Sequence, residues 1–141
     1  IMQIPGAFLA EHAEIVDGKL NVTGGVLDVV KAPAIGLTNE NGEQLALPLS
    51  LVTLMQAGPD DEGRPYRMKL EVVASNGDII VLGDQEIPGG HPEGENHFWI
   101  SDFGLTAHAT GRVALIASIK GGGSVSVPVF VERVDRHPAA G

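Results

Sequence analysis

Residues 10–25 read AEHAEIVDGKLNVTGG. Glu14-Ile15-Val16 and Lys19-Leu20-Asn21-Val22 flank the pair Asp17-Gly18. Asp-Gly between two strand-like runs favours a two-residue hairpin, because a type I′ turn needs φ > 0 at both central residues. The segment therefore predicts a β-hairpin and places the chain in the all-β class. Leu20 and Val22 are expected to point into a core, and Gly24-Gly25 to allow a bulge or a close backbone approach.

The pattern recurs downstream. Tyr66, Met68, Leu70, Val72 and Ala74 alternate with Arg67, Lys69, Glu71 and Val73, and Asn76-Gly77 then leads into Asp78-Ile79-Ile80-Val81-Leu82. One apolar and one mostly charged face marks a strand with a single buried side, and Asn-Gly predicts a second type I′ hairpin. Residues 112–120 alternate Val113, Leu115, Ala117 and Ile119, Gly121-Gly122-Gly123 turn the chain, and Val125, Val127, Val129 and Val131 alternate on the way back. Pro128 has no N–H, so its strand is expected at a sheet edge or with that nitrogen turned outward. Residues 45–55 are almost continuously apolar, broken by Pro48 and Ser50. Such a run suits a strand covered on both faces or one at an oligomer interface. Residues 97–103 hold the single Trp and two of the four Phe and are expected to line the core. Loops are expected at 32–42, 58–64, 88–96 and 102–111, the last with room for one helical turn, and 136–141 reads as a frayed tail. The resulting expectation is one domain spanning 1–141, an antiparallel β-sandwich of about eight strands, immunoglobulin-like or C2-like.

Composition narrows the function. The chain has 141 residues, 43% of them hydrophobic, with 19 Gly and 9 Pro. That suffices for one core and suits short strands joined by tight turns. Eighteen acidic against 9 basic residues give a net charge of −9. An acidic surface repels phosphate backbones and anionic headgroups, and the basic residues form no run in the sequence, so neither nucleic acid nor a membrane is an expected partner. The lack of cysteine excludes disulfides, zinc-thiolate sites and thiol catalysis. No apolar run approaches the ~18 residues of a membrane span. Residues 1–10 are interrupted by Pro5 and carry no basic leader, unlike a signal peptide. A cytoplasmic location is therefore expected.

The opening resembles a bacterial family of small domains of unknown function. Its members begin with an apolar strand, continue with an Ala-Glu pair and D-G-K-L-N-V-x-G-G, and then enter a Pro-containing loop. Ala13, Glu14, Asp17, Gly18, Lys19, Leu20, Asn21, Val22, Gly24, Gly25 and Pro33 carry the resemblance here. It implies a β-sandwich with an unassigned role and supplies no catalytic residues.

Candidate chemistry is sparse. His91-Pro92-Glu93-Gly94-Glu95-Asn96-His97 places two imidazoles and two carboxylates close together. His91, Glu93, Glu95 and His97 are therefore candidate ligands for a divalent metal. The competing reading is a solvated acidic loop entering a strand. His12 and Glu14 share one side of a strand, which suits its polar face as well as an acid–base pair. The run Gly58-Pro59-Asp60-Asp61-Glu62-Gly63 could hold Ca²⁺ with help from Asp84, Glu86 or Asp102, or simply turn the chain. Gly89-Gly90 and Gly121-Gly122-Gly123-Ser124 lack the Lys and following helix of a phosphate loop, and no G-x-S-x-G elbow occurs.

An apolar excess remains. Leu45, Leu47, Leu49, Leu51, Val52, Leu54 and Met55 crowd one segment, while Ile116 and Phe130 fall on the opposite parity from their strands' main apolar rows. Faces left uncovered by the domain itself need a partner. The chain is accordingly expected to be a non-catalytic interaction or assembly module without a cofactor. It would form a homo-oligomer, or bind another protein, through strand edges or the 45–55 face. The alternative is a metal- or small-ligand-binding sandwich, with hydrolysis open to it, that uses loops 58–64 and 88–97.

Overall fold

A computed structural model describes residues 2–58, 64–88, 96–107 and 110–135. They form strands β1 (Gln3–Val16), β2 (Lys19–Gly25), β3 (Val29–Pro33), β4 (Leu47–Gln56), β5 (Tyr66–Val73), β6 (Ile79–Ile87), β7 (Asn96–Leu105), β8 (Gly111–Ile119) and β9 (Ser124–Val134). The fold is all-β, with a four-stranded sheet in the order β2-β1-β4-β7 and a five-stranded sheet in the order β3-β9-β8-β5-β6. Among the described residues, nine strands stand where about eight are expected, and β3 runs parallel to β9 in an otherwise antiparallel pairing pattern. The sequence reading places a loop from residue 32, where β3 in fact continues to Pro33. The segment expected to loop from 102 continues as β7 to Leu105. No helix among the described residues is long and apolar enough to cross a membrane.

The first hairpin closes as its turn residues require. Asp17 (φ 51°) and Gly18 (φ 74°) both occupy the left-handed region, the signature of a type I′ turn. Beyond the turn, the hairpin departs from expectation. Strand β1 pairs with β4 only as far as Ala10 opposite Ser50, and its remainder pairs only with β2. With no second sheet partner there, Val22 is 39% exposed and Leu20 is only half-buried, so neither enters the core.

The other hairpins use different turns. Gly77 N–H bonds Ala74 O, Ala74 N–H bonds Asp78 O, and only Gly77 is left-handed. This is a type I turn with a left-handed glycine after it, not the expected type I′ turn. Asn76 Oδ1 stabilises it by accepting the Asp78 N–H at 3.0 Å. Strand β9 lies between β3 and β8, but β3 pairs only with 130–134, so Pro128 has a ladder partner on the β8 side alone. Phe130 donates to Asp28 O on the β3 side. Pro128, two residues earlier, turns its nitrogen to that same side before β3 begins opposite Phe130.

The core lies between the sheets. Leu9, Leu49, Leu51 and Leu105 of the four-stranded sheet pack with Leu70, Val72, Leu115 and Val129 of the five-stranded sheet. A second cluster holds Met2, Ile4, Met55, Met68, Ile87 and Ile119, with Tyr66 and Trp99 packed against it. Trp99 and Phe103 are only part-buried because β7 is an edge strand. Leu115→Ala should cost about 2–5 kcal/mol, since a fully buried Leu loses both transfer energy and packing. Urea unfolding should show a lower midpoint at constant slope. Val22→Ala, on the exposed hairpin, should move the midpoint by the equivalent of about 0.5 kcal/mol or less.

Candidate functional site

Three of the candidate metal ligands, His91, Glu93 and Glu95, lie outside the described residues. His97 lies opposite Met55 in the β4–β7 register. Its Nε2 is 3.3 Å from the Tyr66 hydroxyl, with the rings 6.4 Å apart and tilted by 59°. The Tyr66 hydroxyl also points at Met55 Sδ, 3.6 Å away. This small polar cluster caps the second core, and burial pushes the Tyr66 phenol above its ordinary pKa. Among the described residues, no three His, Asp or Glu side chains gather as a metal site would require. Of the acids considered for Ca²⁺, Asp60, Asp61 and Glu62 lie outside the described residues, Asp84 accepts from Arg67 Nε at 2.7 Å, and Asp102 accepts from Ser50. His12 and Glu14 share a strand side as expected, 3.8 Å apart and well exposed.

Two of the surface hollows lie beside the second core and along the β6–β7 border. One of about 490 Å³ is walled by Arg64, Arg67, Lys120 and Glu86. Its positive charge is partly cancelled by Glu86 and by the Arg67–Asp84 pair. The other, of about 370 Å³, is a slot between β6 and β7 floored by Met68 and Leu70.

The outer face of the four-stranded sheet is the most distinctive surface. Leu49, Leu51 and Met55 face the core, so Ser50, Val52 and Leu54 face outward. The register sets these in rows across three strands: Ala10–Ser50–Asp102, Phe8–Val52–Ile100 and Gly6–Leu54–Phe98. The first row carries the polar side chains Ser50 and Asp102 and is stitched together through Ser50. Ser50 Oγ accepts the Ala13 N–H at 3.2 Å and donates to Asp102 Oδ1 at 2.6 Å. The next two rows are apolar throughout. Val52 is fully buried there, while Leu54 is 40% exposed. The apolar surface continues toward β2: a Cβ on Gly25 would lie 2.9 Å from Val22 Cγ1, 3.3 Å from Ala10 Cβ and 3.7 Å from Phe8 Cε2.

The outer face of the five-stranded sheet differs. Arg67 pairs with Asp84, and Lys69 lies 3.8 Å from Glu71, so charges run through the side chains of β5 and β6.

No family model matches the chain, and no curated protein matches it.

The sequence reading singles out the β4 run but misses Phe8, Phe98 and Ile100 as its neighbours. Their parity is visible in the sequence, whereas the pairing that aligns them with Val52 and Leu54 is long-range. The Tyr66–His97 contact is missed for the same reason.

Tyr66 is the single tyrosine, so tyrosinate absorbance reports it directly. Its titration midpoint should lie above about 10. A phenol that holds its proton longer when folded contributes stability that is intact below about pH 10 and lost as pH rises through the folded pKa. A midpoint at or below about 10 would contradict a desolvated hydroxyl. Ser50→Ala should cost about 1–3 kcal/mol in urea unfolding, because it leaves the buried Ala13 N–H without its acceptor.

Proposed function

We propose that this chain is a non-catalytic assembly module that associates with copies of itself. The association uses the apolar outer face of the four-stranded sheet where β4 and β7 meet. The observation that carries the reading is the pair of rows Phe8–Val52–Ile100 and Gly6–Leu54–Phe98, which are free of charge and polar groups. Leu54 is 40% exposed and Phe8, Phe98 and Ile100 are part-buried, so the rows still offer apolar surface to a partner. Electrostatics favours the same location. Two chains of net charge −9 repel each other, and an uncharged face lets them approach without opposing carboxylates. The finer fold reading, an immunoglobulin-like or C2-like sandwich, belongs to the same proposal and is supported by the two-sheet core and the antiparallel hairpins.

Sedimentation velocity over a concentration series tests the proposal. Wild type should form a closed multimer, more readily at high salt, where the mutual repulsion is screened. Ile100→Glu should shift it toward monomer while leaving the circular dichroism spectrum unchanged. A wild type that stays monomeric at about 100 μM, far above the ~1 μM reached by an interface worth about 8 kcal/mol, would overturn the reading.

A further inference from the structure

We infer that the primary contact between copies is antiparallel pairing of β7 with β7 of a second copy, about a two-fold axis at Ile100. This inference rests on the self-association reading and specifies its geometry. With strands about 4.8 Å apart and same-face residues about 6.7 Å apart, the apolar side chains of the outer face cover on the order of 200–300 Å². A standard interface needs about 800 Å² from each partner. The face alone falls short, and further contact must come from its border.

The border strands are unequal. An exposed edge invites pairing unless it is short, bulged, or guarded by Lys or Pro. Strand β2 begins with Lys19 and leaves regular strand geometry at Gly24 (φ 63°). Strand β3 has 5 residues and carries Lys31. Strand β6 is bulged where Leu70 and Glu71 meet Gly83 and Val81, and it carries Asp84 and Glu86. Strand β7 has none of these devices. It has 10 residues, no Lys, Arg or Pro, and one charge, Asp102, already engaged by Ser50. Among the described residues its ladder partner is β4 alone.

Symmetry and charge then select the register. A two-fold axis normal to the sheet keeps each face on its own side, so one residue must lie opposite its own copy. An axis at Asp102 would oppose two carboxylates. An axis at Ile100 pairs two β-branched side chains, sets Phe98 opposite Asp102 of the second copy, and keeps nearly the whole strand overlapped. The product is a continuous eight-stranded sheet in which the two apolar faces merge.

The chain has no cysteine, so single introduced thiols report the geometry cleanly. Ile100→Cys and Leu54→Cys would be oxidised by copper phenanthroline, with native mass spectrometry of the wild type in parallel. Directly opposed residues in a ladder lie about 4.5–5.5 Å apart, within disulfide reach. I100C should become covalent dimer in high yield, while L54C, one strand further in, should stay monomeric on a denaturing gel. Cross-linking of L54C but not I100C would overturn the edge geometry and leave a face-to-face dimer. A wild-type multimer with neither variant cross-linked would overturn the edge geometry while keeping self-association. A monomeric wild type would overturn both.

Discussion

Strand β4 is apolar on both faces, and a two-sheet core can cover only one of them. That constraint shapes the rest of the molecule. The inner row, Leu49, Leu51 and Met55, is buried against the five-stranded sheet. The outer row has no layer above it among the described residues. Among the described residues its ladder neighbours are Phe8 on one flank and Ile100 on the other. Val52 is fully buried, whereas Leu54 is 40% exposed. Ser50 marks the end of the apolar stretch, where bonds to Ala13 and Asp102 satisfy a buried hydroxyl and tie three strands together.

Local features were legible in the sequence. The Asp17-Gly18 turn, the alternation of 66–74 and the glycine-turned pair β8–β9 each depend on a few neighbouring residues, and each forms a hairpin. The Asn76-Gly77 turn type was not legible. Asn76 Oδ1 favours a longer loop by capping Asp78 N–H, and this side-chain bond outweighs the dipeptide preference. Long-range pairing was also invisible: the short β3 finds β9 about a hundred residues later, as loop-spanning parallel pairing must. The hydrophobic alternation of β2 suggested burial, but burial needs a second sheet above the strand, and the β1–β2 hairpin runs past the end of β4.

The candidate site divides in the same way. The 45–55 run was conspicuous because its apolar excess is concentrated in one short segment of sequence. Its partners Phe8, Phe98 and Ile100 join it only through register. His97 was read as a metal ligand from its company in sequence; that company, His91, Glu93 and Glu95, lies outside the described residues, and within them the fold sets Tyr66 and Met55 beside it. The acidic surface and the uncharged sheet face fit one physical picture. On the proposed reading, mutual repulsion would keep copies apart except where apolar area and an unguarded strand coincide.

Amide hydrogen exchange resolved by residue, measured over a range of protein concentration, tests this picture most directly. If copies cover β7, alternate amides within 98–104 slow as concentration rises, while those of β3 and β6 do not change. Exchange along β7 that is independent of concentration, with slowing confined to another edge, would contradict it.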